Sequence, residues 1–179
     1  MDYHQIIDKY YPAGSRLRDI YLSHCTSVAR EALEINSRCS LGLDPEKVTA
    51  AAMLHDIGIF ATDAPAIECF GSEPYIRHGI IGRDLLLAEG VEREIAEVAA
   101  RHTGSGLTAQ EIIDANMPLP PEDLCPQTLL QRLICYADKF YSKSGDMKRK
   151  PFEKVRASMA RFGEGSLARF DRLHREFNF

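Results

Sequence analysis

Val48-Thr49-Ala50-Ala51-Ala52-Met53-Leu54-His55-Asp56-Ile57-Gly58 is an apolar helical run that closes on a His-Asp pair and a glycine. Consecutive residues of a helix diverge by about 100° around its axis. Adjacent His55 and Asp56 side chains can therefore meet at one cation only where the backbone leaves regular helix. Gly58 is expected to supply that turn by taking a left-handed backbone. An isolated pair of this kind would be a helix cap with a buried imidazole. Here, however, the series His24, His55, Asp56, His78, His102, Asp138 extends the pair in both directions, with separations of 31, 1, 22, 24 and 36 residues. Most of these residues sit inside or at the edge of an apolar-periodic segment. Together they make a metal-site inventory.

Four imidazoles and two carboxylates form a mixed nitrogen and oxygen donor set, suited to iron, manganese, cobalt, nickel or zinc. Calcium and magnesium prefer all-oxygen shells. Six residues exceed the three or four protein ligands of a single catalytic zinc, and a carboxylate shared by two ions solves the count. Two ions about 3.5 to 4 Å apart can share a hydroxide and clamp phosphate oxygens during in-line attack. A bound water's pKa falls toward ~7, so no serine or cysteine nucleophile is needed. Nothing in the chain resembles a G-x-S-x-G elbow or a G-x-x-x-x-G-K phosphate loop.

The order His…His-Asp…His…His…Asp, with the run His55-Asp56-Ile57-Gly58, resembles the HD-domain metal-dependent phosphohydrolase superfamily, in particular its small HDIG proteins. The resemblance covers about residues 16–143. It implies that His24, His55, Asp56 and Asp138 hold a first metal, and that Asp56 bridges to a second held by His78 and His102. Iron is the foremost candidate, with manganese, cobalt, nickel or zinc also suited. Arg101-His102-Thr103-Gly104 resembles the symmetrical diadenosine tetraphosphate hydrolases of the two-metal branch. That branch also contains cyclic-dinucleotide phosphodiesterases and a minority of di-iron oxygenases. The implied function is hydrolysis of a small phosphoester or phosphoanhydride, a nucleotide foremost, by a metal-bridging hydroxide. The alternative is a di-iron oxygenase acting on a small polyol or phosphonate.

Arg77, Arg83, Arg101 and Lys139 are the candidates for contacting substrate phosphate. Many members of the family carry a lysine immediately after HDIG, placed to meet the substrate. This chain has Ile59 there, so another cation must replace it or the substrate departs from the usual phosphodiester.

A chain of 179 residues with 45% hydrophobic and 27% charged residues suits one domain with a sizeable core. No membrane span and no secretory leader are apparent. The five cysteines (25, 39, 69, 125, 135) are never spaced C-x-x-C, so free thiols in a cytoplasmic setting are expected. Net charge is −4, yet residues 138–179 carry 11 basic and 6 acidic side chains, giving +5. This excess reads as the solvated face of surface helices. A nucleic-acid partner is not expected, since no stacking aromatics are interleaved with the basic residues. The oligomeric state is left open, a homodimer included.

The expected fold is all-α, a compact helical bundle of the HD type in one domain over 1–179. Helices are expected over 2–10, 16–38 (capped by Ser15), from Asp44-Pro45 to His55, 75–89, 92–101 and 128–142, with a short one to Ala115 opened by the Thr108/Glu111 capping box. Two further helices, over 151–162 and 166–176, are expected to close the chain. Residues 59–74 read as a loop or lid, and 116–126, with four prolines, as an extended connection. Thr103-Gly104-Ser105-Gly106 could present backbone N–H groups to an anion.

Overall fold

The computed structural model describes residues 2–145 and 147–178. Local signals place the helix starts. Asp2 caps α1 (Tyr3–Tyr10) and the Ser15 hydroxyl accepts from Arg18 N–H at the head of α2 (Arg16–Arg38). Asp44 caps α3 (Pro45–Leu54), with Pro45 at the first position, where its missing N–H costs nothing. A 3₁₀ turn (Ile57–Ala61) follows, then a two-residue antiparallel ribbon of β1 (Asp63–Ala64) and β2 (Cys69–Phe70). Residues 59–74 are thus a structured turn rather than an open loop.

Helix α4 runs from His78 to Ala88, preceded by a 3₁₀ turn over Tyr75–Arg77. Next come α5 (Arg93–Arg101), α6 (Ala109–Asp114) and α7 (Leu129–Asp138), the last two opened by reciprocal capping boxes. The chain closes with α8 (Phe152–Ala160) and α9 (Glu164–Phe177). The architecture is all-α, as expected. Among the described residues no helix is long and apolar enough to cross a membrane, and all five cysteines are free.

Helix α2 packs on α3 and α7, and α4 packs on α5. One apolar cluster, from Ile6 to Phe177, is built around fully buried Tyr21, Ile35, Leu54, Leu86, Phe140 and Phe170. A second, around Ile80, Ala100, Ile112 and Leu124, seats α6 and the proline-rich connection.

Two local readings are corrected. Helix α7 stops at Asp138 rather than Ser142. The amides of Lys139, Phe140 and Tyr141 turn back to carbonyls three residues earlier, tightening the end and releasing the chain. Gly58, in turn, does not have a positive φ. Its role is close approach, because a Cβ there would strike the His78 carbonyl and come 2.6 Å from Gly82 N. A Cβ on Gly79 would likewise lie 2.5 Å from the Ala99 carbonyl oxygen. These glycines let the segment after α3, α4 and α5 touch backbone to backbone. Gly58→Ala is accordingly expected to destabilise the fold by about 1–3 kcal/mol, the cost of overpacking. It should also loosen His78 from its partners, a result readable by urea unfolding and metal titration.

Candidate metal centre

The close seam brings helix ends together. His55 and Asp56 lie just past α3, His78 opens α4, His102 follows α5, and Asp138 ends α7; His24 projects from the middle of α2. Three of these are helix C-termini, whose exposed carbonyls give partial negative charge that favours a cation. All six side chains are buried.

The imidazoles are oriented by one repeated device. Nδ1 of His55, His78 and His102 donates to the carbonyl three residues earlier, that of Ala52, Tyr75 and Ala99, at 2.6, 2.6 and 2.7 Å. A carbonyl can only accept, so the proton sits on Nδ1 and Nε2 of the neutral ring presents a lone pair. These lone pairs face one another and the carboxylates. His24 Nε2 is 3.1 Å from Asp56 Oδ2 and 3.0 Å from Asp138 Oδ1, while His55 Nε2 is 3.2 Å from Asp56 Oδ2. On the other side, His78 and His102 bring Nε2 to 3.6 and 3.3 Å from Asp56 Oδ1.

Ligand atoms therefore form two groups, His24, His55, Asp56, Asp138 and Asp56, His78, His102. Asp56 presents one oxygen to each. Bonds of about 2.1 Å place neighbouring ligand atoms about 3.0 to 3.4 Å apart in octahedral or tetrahedral shells. Four of the five separations fall in that range, and His78–Asp56, at 3.6 Å, lies just beyond it. Neither oxygen of fully buried Asp56 has a hydrogen bond, a costly arrangement unless a cation is its partner. The donor set fits divalent metal ions, and so does Asp56 Oδ1, which is buried with neither a hydrogen bond nor a lysine or arginine partner among the described residues.

Burial alone would hold His55 down, but Asp56, Cys25 and Asp138 together outweigh it and raise it well above the usual imidazole range, so a cation bound there would displace a proton. Burial would likewise raise Asp56, yet Lys143 and His55 hold it well below the usual carboxylate range. Burial and His102 push His78 down to about 3, so it stands neutral and ready to coordinate.

Of the sequence candidates for phosphate contact, only Lys139 joins this site. Its Nζ donates to the His102 carbonyl at 2.8 Å and lies 2.7 Å from Asp138 Oδ2. The three arginines are set apart from it. Arg77 donates to the Pro118 carbonyl and pairs with Glu73; Arg83 pairs with Glu122 and Asp84; Arg101 pairs with Glu97 and donates to the Asp123 and Cys125 carbonyls. Together they staple the 116–126 connection, whose prolines leave it few amide donors of its own and its carbonyls free to accept. None of the three lines either cavity beside the ligands.

Sequence reasoning missed Lys143. Its Nζ lies 2.7 Å from Asp56 Oδ2, an ion pair outside hydrogen-bond alignment, and 6.0 Å from the Tyr75 ring centre. The available signal was a lysine between Ser142 and Ser144, just ahead of Gly145, five residues after a ligand. Ile59, by contrast, is fully buried in the main apolar cluster.

Two cavities flank the centre. One, of about 690 Å³, is bordered by Asp138, Lys139 and Lys143; the other, of about 630 Å³, by His78, Leu107, Met117 and Phe162.

Comparison with known proteins matches this arrangement to relatives of wider scope. The chain is 28% identical over 170 residues to a tRNA (cytidine(56)-2'-O)-methyltransferase of Thermoplasma volcanium, covering 94% of this chain and 44% of the relative. It is 32% identical over 120 residues to an uncharacterized protein of Methanocaldococcus jannaschii, covering 65% of this chain and 63% of the relative. A tRNA (cytidine(56)-2'-O)-methyltransferase of Picrophilus torridus is 29% identical over 124 residues, 69% of this chain and 32% of the relative. The chain thus spans less than half the length of either methyltransferase. No solved structure gives a significant match. The family model described as HD domain matches residues 21–142, well over half of the chain and every ligand candidate in it, so the chain belongs to the HD domain family.

Proposed function

We propose that this protein is a metal-dependent phosphohydrolase that holds two divalent transition-metal ions and cleaves a small phosphoester or phosphoanhydride, a nucleotide foremost. One observation carries the reading: two buried ligand groups share Asp56, and one of them borders, through Asp138, a cavity lined by lysines. His24, His55, Asp56 and Asp138 would hold one ion, and Asp56, His78 and His102 the other. The ions would supply Lewis acidity toward the phosphoryl oxygens and lower the pKa of a coordinated water to about 7.

The chain's own residues supply the rest. Lys143 offsets the charge of Asp56 from the cavity side and is the cation placed to meet a phosphate oxygen. It takes the part expected of a lysine at position 59. Lys139 ties the end of α7 to the His102 carbonyl, holding Asp138 and His102 in register. The relatives that modify tRNA favour a substrate with a nucleotide part. Their methyl transfer belongs to proteins more than twice the matched length and is not carried over.

Lys143→Ala is expected to lower turnover about 10- to 100-fold, the scale of one charge-assisted contact, while metal content is kept. Arg83→Ala should cost far less. The test of the function itself is a panel of phosphoesters and phosphoanhydrides, assayed with chelator and after return of iron, manganese or cobalt. Metal-dependent phosphate release is expected. Substrate-coupled O₂ consumption without phosphate release would transfer the site to the oxygenase class.

A further inference from the structure

The 690 Å³ cavity continues from Asp138, Lys139 and Lys143 to Lys150, Lys154 and Arg161. Among the described residues, five cations border it against a single carboxylate, the ligand candidate Asp138. Lys139 and Lys143 already hold Asp138 and Asp56. The side chains of Lys150, Lys154 and Arg161 have no hydrogen bond or ion pair among the described residues. Elsewhere in the same C-terminal segment Arg149 holds Glu31, Arg156 holds Asp171 and Arg169 holds Glu111. Arg172 and Arg175 are likewise unmatched among the described residues but lie outside this cavity; what sets Lys150, Lys154 and Arg161 apart is that they share one recess with Lys139 and Lys143.

Lys150 is held in place. Its amide donates to the Phe140 carbonyl at 2.8 Å, folding the chain back against the end of α7. It is half-buried, while Lys154 and Arg161 are exposed. Burial lowers its pKa, Asp138 opposes this, and Lys139, Lys143 and Lys154 lower it further. Like charges gathered around one recess repel, and an incoming anion relieves that repulsion. The cavity's size suits a small ligand rather than a polymer.

We propose that Lys150, Lys154 and Arg161 form a second anion subsite, which takes a phosphate group of the substrate other than the one at the metal centre. Substrates with two or more phosphates are then favoured over monophosphates. The inference rests on the hydrolase reading only for calling the ligand a substrate; binding itself is tested without turnover.

The experiment is calorimetric titration of the metal-loaded protein with inorganic tripolyphosphate and, separately, orthophosphate. Metal content and thermal melting are measured alongside. The K150A/K154A/R161A variant is expected to bind tripolyphosphate at least about tenfold more weakly than the parent, at unchanged metal content. A control removing equal charge from outside the cavity, R30A/R172A/R175A, should change it by less than about twofold under the same screening. Equal losses in both variants would reduce the effect to general charge, and no loss in either would leave the cations a solvated surface; each result overturns the subsite. Loss of orthophosphate binding to the same degree as tripolyphosphate would also overturn it, since one phosphate would then fill the whole site. If tripolyphosphate binds as expected and no phosphoester is hydrolysed, the subsite stands and the hydrolase reading falls.

Discussion

Asp56→Asn is expected to release both metal ions from a protein that still folds. Each oxygen of Asp56 faces one pair of histidines, 3.1 and 3.2 Å on one side, 3.6 and 3.3 Å on the other. Asparagine keeps the shape and removes the charge. Its amide N–H can also donate to one pair of Nε2 lone pairs, occupying the space of an ion with a hydrogen bond. Changing a partner one step removed from a metal costs about 10- to 100-fold in affinity, and a bridging ligand should exceed that at both sites. Turnover should fall by at least about 10³-fold, the scale of a preorganised electrostatic contact. His24→Ala should by contrast empty the site shared with His55 and Asp138, and His102→Ala the other. Elemental analysis of the three variants separates these outcomes. If Asp56→Asn kept one ion fully bound, the carboxylate would not be a bridge.

The second large effect is on stability. Ile59→Lys is expected to unfold the protein or bring it close to unfolding. The side chain of Ile59 is fully buried in the main apolar cluster. A lysine there must lose its proton or strand a charge, and burial of this kind shifts a lysine by up to about 3–5 pKa units. At about 1.4 kcal/mol per unit, that is about 4–7 kcal/mol, against a typical total stability of about 5–15 kcal/mol. The folded-state pKa would lie below the unfolded value of about 10.4, so the penalty should be smallest above pH ~10 and grow as pH falls. Urea unfolding at pH 7 and at pH 10 measures it. A stable and more active Ile59→Lys protein would show instead that position 59 reaches the substrate.

This bears on what the sequence could reveal. The chain carries Ile59 where the resemblance led to the expectation of a lysine, and Lys143 is the cation proposed to take that part. Lys143 stands against Asp56 because α7 ends at Asp138. Helical periodicity carried that helix to Ser142 and so concealed the return. Helix starts were legible, since Ser15, Asp44-Pro45 and the Thr108/Glu111 box act within a few residues of themselves. The ligand candidates were legible by type, because buried imidazoles and carboxylates have few other reasons to recur on apolar faces. The arginines were not, since their partners lie on a connection 22 to 41 residues away. Gly58 shows the same limit. Its presence was read as a torsional need, whereas the nearest atoms of α4, twenty and more residues on, are what exclude a side chain.

The basic excess after residue 137 was likewise read as surface. In three dimensions part of it shares one cavity with the ligand candidate Asp138, while Arg149, Arg156 and Arg169 serve ordinary ion pairs. Composition records the charge, and only packing tells which cations lack a partner.

Elemental analysis of the protein purified without chelator tests the bridged two-metal centre most directly. Two transition-metal ions per chain are expected, both lost together in Asp56→Asn. One ion per chain, or none after incubation with excess iron or manganese, would contradict it.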